Sequence, residues 1–207
     1  MANIRIKWQL CQPIAHLSPN EQAIALFLSA NHSKEKVKLP PYLIKRNYSQ
    51  LAAKVGKLRK AQVALDNSEV PLFDTISYSK GAITFKFSEP IEQLLTKTGN
   101  YLFCNFEIYC RLRKKYAKAM YLLFCQFRGT GRIKKALFRL AERIGATAPS
   151  YRYLCRLRRL MDDALGQIQT HDCVEFKVTK AGDVLVIEKK DSFFEHRVHI
   201  GFIELKD

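Results

Sequence analysis

Two runs of short helices, each closed by a β-hairpin, predict an α+β chain built as two tandem domains. Three observations carry that expectation. Between residues 113 and 168 apolar side chains recur three and four positions apart, broken by the glycine-bearing turns at 128–132 and 145–149. Strand-like runs at 174–178 and 184–188 then flank Thr179-Lys-Ala-Gly-Asp183, a hairpin signal. The first half repeats the order and ends in runs at 73–78 and 82–87 around Ser79-Lys-Gly81. Three helices followed by a hairpin is the winged-helix order, so each domain is expected to be a helix-turn-helix with a β-hairpin wing.

In chain order, residues 1–8 alternate like a strand. Ser18-Pro-Asn-Glu21 reads as a capping box with Pro at the first helical position, and Ile24, Phe27 and Leu28 form the stripe of that helix to about residue 30. Residues 31–41 read as a polar, lysine-bearing loop. A short helix follows at 49–55, stopped by Gly56, then a candidate helix at 58–69 with Lys57, Arg59 and Lys60 at its start. The recurrence of helices and wing implies an internal duplication of about ninety residues. The domains are expected at 1–100 and 101–207, the first dimerising and touching DNA, the second supplying the principal DNA contact.

In the second half, residues 113–127 read as a helix with Leu112, Tyr116, Met120 and Leu123 on its apolar side. A second helix is expected at 133–144, with Gly145 as its stop. The third, about 150–168, is the most informative. Wound at 100° per residue from Arg152, Arg156 falls at about 40° and Arg159 at about 340°, while Leu157, Leu160, Met161, Ala164 and Leu165 occupy the other side. Arg158 sits at the boundary. A final strand-like run at 196–205 has no place in the minimal motif.

Charge points to a polyanion. Residues 111–160 hold fifteen Lys/Arg against one acid, Glu142, and so carry +14 of the formal +16. Such a concentration attracts phosphates, whose released counterions supply sequence-independent affinity. No apolar stretch reaches the roughly 20 residues of a membrane span. The N-terminus lacks the apolar core of a signal peptide, so the six cysteines read as reduced thiols in a cytoplasmic protein. No Cys-x-x-Cys pair occurs, no cofactor is implied, and no metal site is expected. A Walker phosphate loop is missing. His196 and His199 are separated by two residues, which places them on opposite faces of a strand rather than together as a nickase metal pair. The reading is therefore of a non-enzyme.

The chain resembles the Rep family of plasmid replication initiators, built from tandem winged helices. The likeness runs from Gly81 to about residue 189: the strand Ile83-Thr-Phe-Lys-Phe-Ser88, the short helix Ile91-Glu-Gln-Leu-Leu95, a tyrosine-bearing linker near 101–109, and Lys115-Tyr-Ala-Lys-Ala-Met-Tyr121. A tyrosine-led helix from Tyr151 follows, with an acidic and amide-bearing end at 162–169 and a closing hairpin. The resemblance implies binding of direct repeats in a plasmid origin, recruitment of host replication proteins, and a homodimeric form that represses its own gene.

Carried onto this chain, Tyr151, Arg152, Arg156, Arg158 and Arg159 match the recognition helix. Lys114, Lys115, Lys118, Lys134, Lys135 and Arg139 suit phosphate contact, and Lys180 a wing-tip contact. Lys57, Arg59 and Lys60 are the analogous but weaker set of the first domain. Two other readings of the same basic helices stay open: a winged-helix transcriptional regulator without an initiation role, and an RNA-binding protein.

Overall fold

The computed structural model describes residues 3–11, 13–40, 43, 48–65, 68–97, 99, 101–127, 132–146, 153–172, 176–181 and 184–189. The chain divides into two compact units, Met1–Cys110 and Arg111–Asp207. The division falls ten residues beyond the one the sequence suggests, for a reason that lies in the first strand. β1 (Asn3–Lys7) pairs antiparallel with β7 (Tyr101–Asn105), Ile4 opposite Cys104, so the first five residues of the presumed linker at 101–109 are a strand of the first unit.

In the first unit, α1 (Trp8–Cys11) and a 3-10 turn (Pro13–His16) lead into α2 (Pro19–Ser29). The Ser18 backbone N–H donates to Glu21 Oε2 at 3.0 Å, which satisfies one orphan donor at the start of α2. The expected loop at 31–41 contains a short strand, β2 (Lys36–Lys38), because Val37 turns inward and pairs with Ile83. α3 (Tyr48–Leu58) buries Leu51, Val55 and Leu58. It passes through Gly56, the expected stop, since one glycine costs a helix only about 1 kcal/mol.

The candidate helix at 58–69 is a β-hairpin instead. β3 (Gln62–Leu65) pairs with β4 (Ser68–Pro71), Val63 opposite Val70, and the Leu72 N–H closes its base on the Ala61 carbonyl at 2.9 Å. Asp66 and Asn67 are turn formers, and Val63 satisfies either periodicity. β5 (Phe73–Ser79) and β6 (Ala82–Phe87) form the predicted wing. Lys80 (φ 50°) and Gly81 (φ 79°) both lie in the left-handed region, as the tight two-residue turn of a hairpin demands. α4 (Glu89–Thr96) and α5 (Phe106–Arg111) complete the unit.

Lys7 is 2% exposed. Its ammonium donates to the carbonyls of Lys97 and Gly99, beyond the C-terminal end of α4, and lies 4.3 Å from the Tyr101 ring centroid. Lys7→Met keeps the stem but strips those carbonyls of their donor. The expected cost is about 1–3 kcal/mol of first-unit stability, read by urea denaturation.

In the second unit, α6 (Lys115–Gln126) is followed by β8 (Arg132–Ala136), α7 (Leu137–Arg143) and α8 (Leu154–Asp172), then the wing strands β9 (Phe176–Ala181) and β10 (Val184–Lys189). The helix expected at 133–144 thus begins four residues late. Ile133 to Ala136 pair with Ile187 to Val184 of β10, a partner some fifty residues away that no local periodicity announces. Gly145 (φ 73°) ends α7 as expected. The run at 196–205 lies outside the described residues. The three-stranded sheets follow one rule: β2-β6-β5 in the first unit and β8-β10-β9 in the second place the strand between the helices beside the last strand of the wing. A mixed fold of two winged helices is therefore what the chain adopts.

Candidate nucleic-acid interface

α8 is amphipathic in the sense the sequence predicts. Leu157, Met161 and Ile168 are 0% exposed, with Ala164 and Leu165 beside them, and they pack the helix against α6. Arg156 and Arg159 are exposed on the opposite side. Arg158 is half-buried, in keeping with its boundary angle. Tyr151 and Arg152 lie outside the described residues.

The acidic and amide-bearing half of α8 holds the start of α6. Gln167 Oε1 accepts the backbone N–H groups of Arg113 and Lys114 at 3.2 and 3.3 Å, the second of them at the N-cap, where a helix start leaves donors orphaned. Asp163 Oδ2 meets Lys114 Nζ at 2.7 Å, both side chains being more than half exposed. That hydrogen bond and the lysine charge hold the Asp163 carboxyl below the usual carboxylate range. The pair's small contribution to stability is thus present above that range and is lost as pH falls through the lowered value. Among the described residues no group of three or more potential metal ligands forms.

The phosphate candidates separate. Lys134 and Arg139 are exposed, Arg139 meeting Glu142 at 3.3 Å. Lys135 is half-buried on β8. Lys115 is half-buried with its ammonium 4.7 Å from the Tyr116 ring centroid. Lys118 does not fit a phosphate role where it stands. It is 2% exposed, one turn on from Lys114 and between Ala117 and Met120, both 0% exposed. Lys118 falls outside the apolar three-and-four spacing of α6, but the helix is covered on more than that stripe. Lys180 is on β9, opposite Leu185; its side chain lies outside the described residues. In the first unit, exposed Lys57, Arg59 and Lys60 gather at the carbonyl end of α3, where helix-end charge favours cations.

Sequence reasoning passed over two side chains. Tyr153 (63% exposed) and Phe138 (41%) are large apolar groups on the surface of the second unit. The signal for the first was its spacing: Tyr153 lies three residues before Arg156, whose guanidinium sits 5.5 Å from the tyrosine ring centroid. Cys11, Cys104, Cys110, Cys125 and Cys155 take part in no disulfide, and Cys173 lies outside the described residues. No helix of the described residues is long and apolar enough to cross a membrane.

The sequence model described as "Initiator Replication protein, WH1" matches residues 13–125, more than half of the chain. Among solved structures, "Crystal structure of Pi initiator protein in complex with iteron DNA" superposes with a TM-score of 0.66 at 16% identity, covering 92% of this chain and 98% of that one. At that identity the likeness bears on the fold, and it spans both winged helices. No curated protein matches the chain. With the family model covering most of the first unit and the start of the second, and the paired wings and helices described above, the chain belongs to the initiator replication protein family.

Proposed function

We propose that the chain starts plasmid replication by binding repeated duplex sites in an origin, with α8 entering a major groove. The observation that carries this reading is the exposed Arg156 and Arg159 on one side of a helix whose other side is core, in a member of an initiator family. Arginine meets guanine O6 and N7 bidentately, which a core-anchored helix can aim. The solved Pi initiator, bound to iteron DNA, shares the fold and supports the choice of repeated duplex as partner.

Tyr151 and Arg152 join Arg156 and Arg159 as base or adjacent phosphate contacts, and Arg158 serves at the edge of that set. Lys114, Lys115, Lys134, Lys135, Arg139 and Lys180 contact phosphates and set register, as cations flanking a reading helix do. Lys57, Arg59 and Lys60 give the first domain a backbone contact of its own. The protein is a cytoplasmic, non-enzymatic binder that recruits host replication proteins and forms a homodimer when it represses its own gene.

The test is fluorescence anisotropy with duplexes tiled across the DNA flanking the gene, at two salt concentrations, with scrambled duplex and hairpin RNA as competitors. Tight binding confined to a repeated tile is expected. Equal binding to every tile, or displacement by RNA, would sink the proposal.

Asp163→Asn offers a separate check on Lys114. It removes an anion from the reading helix itself and releases Lys114 to phosphate. Binding should strengthen on specific and scrambled duplex alike, with a steeper salt dependence. An unchanged salt slope would remove Lys114 from the phosphate contacts.

A further inference from the structure

Tyr153 is unexplained by the fold and by the proposed contacts. An aromatic ring 63% exposed gains little from its own domain's core. Yet it is anchored: the Tyr153 carbonyl accepts the backbone N–H groups of Arg156 and Leu157, each at 3.1 Å, so Tyr153 is the residue that opens the first turn of α8. Its ring is therefore carried in the frame of the helix. Three residues on, the Arg156 guanidinium carbon lies 5.5 Å from the ring centroid, on the side of the helix away from Leu157 and Met161.

We infer that Tyr153 is a positioning residue for base reading: its ring holds the guanidinium of Arg156 so that the cation meets a guanine already oriented. The inference rests on the reading that α8 enters a major groove. An exposed arginine has many rotamers, and binding must select one of them at an entropic cost. A guanidinium held over an aromatic face is restrained while its in-plane N–H donors stay free for O6 and N7. Desolvation under DNA strengthens that hold, because water no longer competes for the cation. Tyr153 thus sharpens the preference for guanine without touching the base itself.

The experiment uses the full chain as wild type, Tyr153→Phe, Tyr153→Leu, Tyr153→Gln, Arg156→Ala and the Tyr153→Leu/Arg156→Ala double variant. Each is titrated by anisotropy against the specific duplex and against duplexes with every base pair substituted in turn. Circular dichroism confirms folding; Leu and Gln retain the backbone carbonyl that opens α8, and the two changes check each other. Tyr153→Phe keeps the ring face and should bind within about twofold of wild type. Tyr153→Leu and Tyr153→Gln should lose roughly three- to tenfold on the specific duplex, and only at the base pair that Arg156→Ala no longer discriminates. The double variant should be no worse than Arg156→Ala alone, since the two residues act as one unit.

Additive losses would overturn the inference, and so would a loss equal on every duplex, which would make Tyr153 a phosphate contact. Wild-type discrimination retained in Tyr153→Leu would sink the pairing while leaving the groove reading intact. Equal binding of wild type to all duplexes would sink both.

Discussion

Replacing Arg156 and Arg159 together with Ala is expected to collapse the preference for the repeated site over scrambled duplex while the fold survives. Each arginine that reads a base is worth about 1–3 kcal/mol, so the pair removes roughly 2–6 kcal/mol if the two losses add. What remains is the salt-steep affinity of the other cations for phosphate. Both side chains are exposed, so unfolding stability should move by no more than about 0.5 kcal/mol. Anisotropy at two salt concentrations on specific and scrambled duplex decides the matter. An equal loss on both duplexes would reassign the two arginines to the backbone, and the source of specificity would have to lie elsewhere on the chain.

Phe106→Ala should have the largest effect on stability. Phe106 is 0% exposed, and its ring stacks with Phe27 at 5.7 Å and with Tyr109 at 5.8 Å. Tyr109 is itself buried, its hydroxyl bonded to Gln22 Oε1 at 3.3 Å, while the Gln22 amide donates to the carbonyls of Ala15 and Leu17. Burial first, and then the neighbouring thiols of Cys104, Cys11 and Cys110, push the Tyr109 hydroxyl well above its ordinary pKa, so it remains a neutral donor at any physiological pH. Removing the Phe106 ring loosens a pocket in which α2, α5 and this polar network meet. A buried Phe→Ala change costs about 3–5 kcal/mol, a large share of the roughly 5–15 kcal/mol that holds a domain together. The single tryptophan, Trp8, belongs to the first unit and reports its unfolding in urea. A shift under about 1 kcal/mol would mean that the pocket closes over the lost ring.

Neither prediction needed the same amount of structure. The face of α8 was legible because a helix repeats every 3.6 residues and its core stripe runs unbroken from Leu157 to Ile168, so Arg156 and Arg159 were bound to lie outside. The wing at Phe73–Ser79 and Ala82–Phe87 was legible for a similar local reason, since Lys80-Gly81 can make the tight turn that joins them. Phe106 was not legible: nothing near it in sequence names Phe27 as its stacking partner, eighty residues earlier.

The amino-acid sequence by itself determined the helix-and-wing order, the basic character of residues 111–160 and the outward side of α8. All of these are local, carried by spacing, turn chemistry and charge. Only the tertiary structure decided the rest. Ile133 to Ala136 are a strand because β10 lies alongside them, and residues 62–71 are a hairpin because their own backbone groups pair. Tyr101 to Asn105 belong to the first unit because β1 pairs with them. Lys118 is interior because α6 is covered on a side its own sequence marks as polar. Pairing and burial depend on partners distant in sequence, and tertiary contacts override weak local preference wherever the two disagree.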